Sequence, residues 1–232
     1  MSKTSKEITA LADELYAGRE NLEGVRESVE LLKEAATDYE ALWRASRAHF
    51  FLGQEAHDKM EARRAHLSGI DAGRLAVRVL DNRVEGHFWL GVNLALLAQL
   101  EKSFGALRYA LSAKRELKRA VSINASYHAA GPLRVLARLE SKLPRIFGGG
   151  TRRARAHFEE AIRLAPSNTV TRLYFAELLL ESVDTTRARA ELEAVLAIPV
   201  DPAWAFEINR DRNRAREMLL TSGLRTDVEG AR

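Results

Sequence analysis

The sequence predicts an all-α fold in which antiparallel helix hairpins stack in series, and three observations carry that expectation. Apolar residues recur at helical spacing throughout, with no strand-like alternation. All five prolines fall from Pro132 onward, so no proline interrupts a helix in the first 131 residues. A short pattern also returns after 34 residues: Ala154, Phe158 and Ala161 are followed by Ala188, Leu192 and Val195, and Pro166 by Pro199 after 33. Alanine, a large apolar residue four on, a small one three further and a proline at the turn is the second-helix signature of a tetratricopeptide unit. Such hairpins cannot bury their apolar faces alone, so the expected architecture is a tetratricopeptide-like array. It would form a right-handed α-solenoid of about five helix pairs. The array is expected over residues 1–222, with a flexible C-terminal tail over 223–232.

Each element follows in order. Thr4 to Tyr16 reads as a first short helix ended near Gly18, and Leu22–Ala36 as a second, with Val25, Val29 and Leu32 on one stripe. Asp38 caps Tyr39–Leu52, which stops at Gly53. A long helix spans about His57 to Leu80, and Asp81-Asn82 turns into Val84–Leu100. Phe104–Val121 and Ser126–Leu143 come next, Pro132 starting or kinking the latter and Pro144 ending it. Thr151 is expected to cap Arg152–Leu164. Thr169–Glu181, Thr186–Ala197 and Ala203–Leu220 complete the chain. The repeat also runs backwards: Ala113, Leu117 and Ala120 match Ala154, Phe158 and Ala161 at an offset of 41, the excess lying in an insert around Lys142–Gly150. Leu52-Gly53 and Leu90-Gly91 match the first-helix Leu-Gly step.

Composition narrows the function. Of 232 residues, 46% are hydrophobic and 29% charged, values typical of soluble domains. Cysteine is absent, which excludes disulfides, thiolate metal sites, cysteine nucleophiles and a lipid-anchored cysteine. The opening MSKTSKEITALADELYAG has no apolar core and does not read as a signal or transit peptide. No apolar run is long enough to span a membrane. The net charge of +4 is dispersed among acids, in clusters no larger than pairs such as Arg63-Arg64 and Arg152-Arg153, which disfavours nucleic acid.

Three stretches resemble one particular family: EGHFWLGVNLA (Glu85–Ala95), AAGPLRVLARLESKLPRIFGGG (Ala129–Gly150) and DPAWAFE (Asp201–Glu207). They are similar to the T-component tetratricopeptide proteins that accompany TRAP-type solute transporters. The resemblance implies a trimer around a central opening that cooperates with a solute-binding receptor and passes on an apolar ligand. It also implies a periplasmic location where an export signal has been removed; a chain complete as written would be cytoplasmic. Family members carry an export signal and a lipid-anchored cysteine, and neither stands in this sequence.

No catalytic set emerges. The six histidines include no i, i+4 pair for zinc, and neither a serine elbow nor a paired carboxylate stands out, so no cofactor is expected and the chain is read as a non-enzyme. Gly149, Gly150, Thr151 and Arg152 open a helix after a glycine run, a candidate anion site that lacks the lysine and strand of a phosphate loop. Helical geometry places Phe51, Phe88, Val92, Leu96, Leu136, Leu139, Leu173 and Glu177 on a mostly apolar groove, the candidate surface for a protein partner or a greasy ligand. Such a wall argues against gripping a peptide's terminal carboxylate. A scaffold subunit of another assembly, its helices buried against a partner, would show the same residues.

Overall fold

The computed structural model describes residues 3–101 and 104–223, so the tail expected from 223 lies, from 224 on, outside the described residues. Among the described residues there are eleven α-helices and three short 3-10 turns, and no strand. The chain divides into two compact units, Met1–Tyr127 and His128–Arg232.

Unit 1 holds three successive hairpins: α1 (Ser5–Ala17) with α2 (Leu22–Leu32), α3 (Tyr39–Gln54) with α4 (Lys59–Val79), and α5 (Val84–Leu100) with α6 (Phe104–Asn124). Local chemistry sets the starts. Thr4 and Glu7 form a reciprocal capping box, and Asn21, Asp38 and Asp58 each accept a first-turn N–H. Helix α5 begins and ends where its hydrophobicity predicts. It is buried from Val84 to Ala95 except at Glu85, as a helix apolar all round must be. Both Leu-Gly steps mark close approach between helices. A Cβ on Gly53 would fall 2.4 Å from the His66 ring on α4, and one on Gly91 would fall 2.8 Å from Leu117 Cγ on α6. Ala113, Leu117 and Ala120 are all 0% exposed, so the second-helix signature is the core of this hairpin.

Unit 2 continues with α7 (Tyr127–Lys142), α8 (Thr151–Leu164), α9 (Thr169–Glu181), α10 (Thr185–Ala197) and α11 (Ala205–Thr221). The repeated residues again form the interior. Ala154 and Phe158 pack with Ala137, Phe175, Leu178, Leu179 and Ala188, the Phe158 and Phe175 rings stacked 5.6 Å apart. Leu192 and Val195 pack with Leu173, Ala176, Ala215 and Leu219. Pro132 starts the regular winding rather than kinking a formed helix, and the Thr151 cap is corrected. The break in α7 lies upstream of Pro132, at His128, Ala129 and Ala130, which are left-handed (φ 50, 52 and 56). Proline tolerates the first turn of a helix, so regular winding starts there and the strain falls on the residues before it. Thr151 is the first helical residue rather than the cap. Gly150 takes the cap position at φ 131, a conformation open to glycine and strained for any side chain.

Candidate functional site

The first helices of unit 1 bring a compact strip of aromatic and arginine side chains together. On α3, Trp43, Arg44, Arg47, Phe50 and Phe51 follow helical spacing; Tyr16 projects from α1 and Trp89 from α5. The Arg47 guanidinium lies 3.9 Å from the centroid of the Tyr16 ring and the Arg44 guanidinium 4.2 Å from that of Trp43. Asp13 on α1 accepts from Arg44 Nε at 2.9 Å and from Arg47 Nη2 at 2.6 Å. Glu40 accepts from Arg44 Nη1 at 2.6 Å and from Trp43 Nε1 at 2.8 Å. Two carboxylates thus hold two guanidiniums over rings, a geometry that restricts their rotamers. Arg47 Nε is buried and has no acceptor among the described residues.

The strip continues along α5. Phe50 and Trp89 lie 5.3 Å apart, Phe88 sits edge-on to Trp89 at 4.8 Å, and Trp89 Nε1 donates to the Tyr127 hydroxyl at 3.2 Å. Burial pushes the Tyr127 hydroxyl up to about 12, so it stays neutral while it accepts from Trp89. Tyr39 closes the other end: its hydroxyl donates to Glu85 Oε2 at 3.1 Å and accepts from Gly86 N at 3.2 Å.

Beneath the strip, a buried polar network ties α3, α4 and α5. Asn93 Nδ2 donates to Ser46 O at 3.0 Å and Trp89 O at 2.9 Å, while its Oδ1 meets His66 Nδ1 at 3.0 Å. Ser46 Oγ donates to Gly69 O at 2.7 Å. Gly69 is glycine for a reason: a Cβ there would lie 2.6 Å from Asn93 Cγ. The network spends the Asn93 amide, the Ser46 hydroxyl and His66 Nδ1 on bonds within the chain. Among the described residues no group of three or more His, Asp or Glu gathers where a metal ion could sit.

The residues expected on an apolar groove fall into three classes. Phe88 and Val92 in unit 1, and Leu136 and Leu173 in unit 2, are 1–5% exposed and belong to the interior. Phe51 is also covered, edge-on to Tyr16 at 6.0 Å. Leu96 and Leu139 are half-buried, and Glu177 is tied to Arg138 at 2.6 Å and to Arg214. In unit 2 the first-helix face is therefore charged: Arg138 stacks 3.8 Å from the centroid of the Tyr174 ring, and Lys142 pairs with Glu181. Helix periodicity marks a helix's apolar side, but a packed array buries that side.

The glycine run behaves likewise. Gly149 N donates to Pro144 O at 3.1 Å and Gly150 N to Glu140 O at 2.8 Å, so both amides are satisfied within the chain. A Cβ on Gly149 would lie 1.9 Å from Leu143 O, and close backbone packing accounts for that glycine. Thr151 and Arg152 are exposed on the first turn of α8. Sequence reading missed Tyr16, Arg44, Arg47 and Phe50. The signal was Trp-Arg followed three and six residues on by Arg and Phe, one helix face enriched in the residue types that anchor interfaces.

Comparison with known proteins follows the same division. A family profile described as "Regulator of microtubule dynamics protein 1-3" matches residues 8–133, and one described as "Tetratricopeptide repeat" matches 149–205. No curated protein sequence matches the chain. Among solved structures, a thermophilic TPR protein from Thermus thermophilus superposes with a TM-score of 0.66 at 20% identity, covering 96% of this chain and 100% of that one. At that identity the likeness speaks to fold alone, and the fold is a tetratricopeptide-like helical array.

Proposed function

We propose, from the premise that this chain belongs to the regulator of microtubule dynamics protein 1-3 family, that it is a non-catalytic binding protein whose partner docks on the first-helix strip of unit 1. The observation that supports this most is the set Tyr16, Trp43, Arg44 and Arg47, held by Asp13 and Glu40 in restricted rotamers. Tyr, Trp and Arg dominate interface energetics, and side chains ordered in advance lose little entropy on binding. The family's description directs the test to microtubules. Co-sedimentation of the purified chain with polymerised tubulin is expected to show saturable binding. Arg44→Ala and Arg47→Ala should each weaken it about thirtyfold, the scale of an interface hot spot, with the helical circular dichroism unchanged. Binding that ignores both substitutions, or none above a control protein, overturns the assignment.

The transporter-accessory reading draws on the stretches Glu85–Ala95, Ala129–Gly150 and Asp201–Glu207. It calls for a trimer, a solute-binding receptor as partner and a sheltered apolar ligand. Native mass spectrometry decides it: a trimer carrying a co-purified small molecule supports it, and a bare monomer counts against it.

A further inference from the structure

Unit 2 buries a cation that no ion pair neutralises among the described residues. Arg134, on α7, is 7% exposed, and burial outweighs the attraction of the acidic groups around it. Its Nη1 is well supplied, donating to Ala129 O at 3.1 Å, Asn168 Oδ1 at 3.2 Å and Thr171 Oγ1 at 3.4 Å. Nε and Nη2 have no acceptor among the described residues, and neither is among the atoms sealed from solvent without a partner. Those two nitrogens form the parallel edge of the guanidinium that matches two oxygens of a carboxylate or phosphate. With both nitrogens reachable from solvent, this edge can exchange water for an anion.

The surroundings favour the same charge. Nη1 fixes the guanidinium plane against the N-terminus of α9, a 13-residue helix whose cap is Asn168, and a helix start carries partial positive charge. The nearby acid is Asp211, also buried, whose Oδ2 accepts from Thr169 Oγ1 at 2.5 Å. Burial raises its carboxyl pKa, against the pull of its Thr169 bond and of Arg210 and Arg134. The left-handed turn at His128–Ala130 delivers the Ala129 carbonyl to Arg134, so a strained backbone orients this guanidinium.

We propose that Arg134 anchors an oxyanion site in unit 2, taking a carboxylate or phosphate group through Nε and Nη2 beside the start of α9. The site is independent of the strip on unit 1, and it reopens the carboxylate grip that an apolar wall would have excluded. The test is an arginine Nε–H nuclear magnetic resonance titration of the full chain, with the Arg134 signal assigned through its own side-chain carbons. Sodium acetate and sodium phosphate are compared with sodium chloride at matched ionic strength. The Arg134 signal is expected to shift saturably with acetate, phosphate or both, the two series separating the carboxylate from the phosphate source, and not with chloride. Arg134→Lys keeps the charge and loses the fork, and should weaken the stabilisation by the effective anion at least tenfold in thermal melts. Asn168→Asp keeps a good helix cap while adding negative charge at the site, and should weaken the anion's effect similarly. An Arg134 signal that moves no more than it does in chloride overturns the proposal. So does an Asn168→Asp protein with the wild-type anion response.

Discussion

Replacing Asn93 by alanine tests whether the buried network under the strip holds three helices together. The change removes the contacts to Ser46 and His66, the two that cross between helices, while the Trp89 contact stays within α5. Each cross-helix hydrogen bond is worth about 1 kcal/mol net, and leaving the His66 ring without its partner adds about 1–2 kcal/mol. The expected loss is therefore roughly 3–4 kcal/mol, which for a chain of this length lowers the melting temperature by roughly 6–16 °C. Urea unfolding followed by far-ultraviolet circular dichroism measures it, with the slope against denaturant unchanged. In a Gly69→Ala background the cost should shrink, because the added Cβ would lie 2.6 Å from Asn93 Cγ and removing that amide relieves the clash. A loss under about 1 kcal/mol, or full additivity of the two changes, would refute this reasoning.

The remaining expectations are compact. Burial, aided by Lys33, pulls His49 down to about 4, so the folded chain keeps it neutral while the unfolded chain protonates it near 6.5. Its stabilising contribution is complete above pH 6.5 and falls away between 6.5 and 4. Unfolding should therefore become easier by about 2 kcal/mol from about pH 7 to about pH 5, and His49→Gln should flatten that profile. His66, lowered by the same burial, acts in the same direction. Gly149→Ala, whose Cβ would lie 1.9 Å from Leu143 O, should cost more than about 3 kcal/mol in chemical denaturation. Gly148→Ala, at φ 73, should cost about 1 kcal/mol, so the order of the two separates backbone clash from left-handed strain. Phe158→Ala should lose about 3–5 kcal/mol, because this ring is 1% exposed and stacks on Phe175.

Much of the fold was legible in the residues. The 34-residue return of Ala154, Phe158 and Ala161 marked positions that are 0 or 1% exposed, because the second-helix signature is a packing rule and packing is local to each hairpin. Gly53 and Gly91 were legible for the same reason. The aromatic and arginine strip was not. Apolar periodicity pointed to Phe88, Val92, Leu136 and Leu173, and a stacked array places those residues inside. The side chains that stay partly accessible, Tyr16, Arg44, Arg47 and Phe50, come together only when α1, α3 and α5 are adjacent, which a one-dimensional period does not encode. Arg134 was hidden similarly. It reads as one arginine among many, and its burial against Asn168 and Thr171 depends on how α7 meets α9. The left-handed turn at His128–Ala130 has a signal only in the following Gly131-Pro132, which explains where the helix resumes but not the three residues before it.

Hydrogen–deuterium exchange on the full chain, with and without polymerised tubulin, addresses partner binding by unit 1 most directly. Slowed exchange is expected in the last turn of α1 around Tyr16 and in α3 from Trp43 to Phe50, with α2 and α10 unchanged. Protection confined to other helices, or exchange identical in both samples, would contradict a partner surface built on that strip.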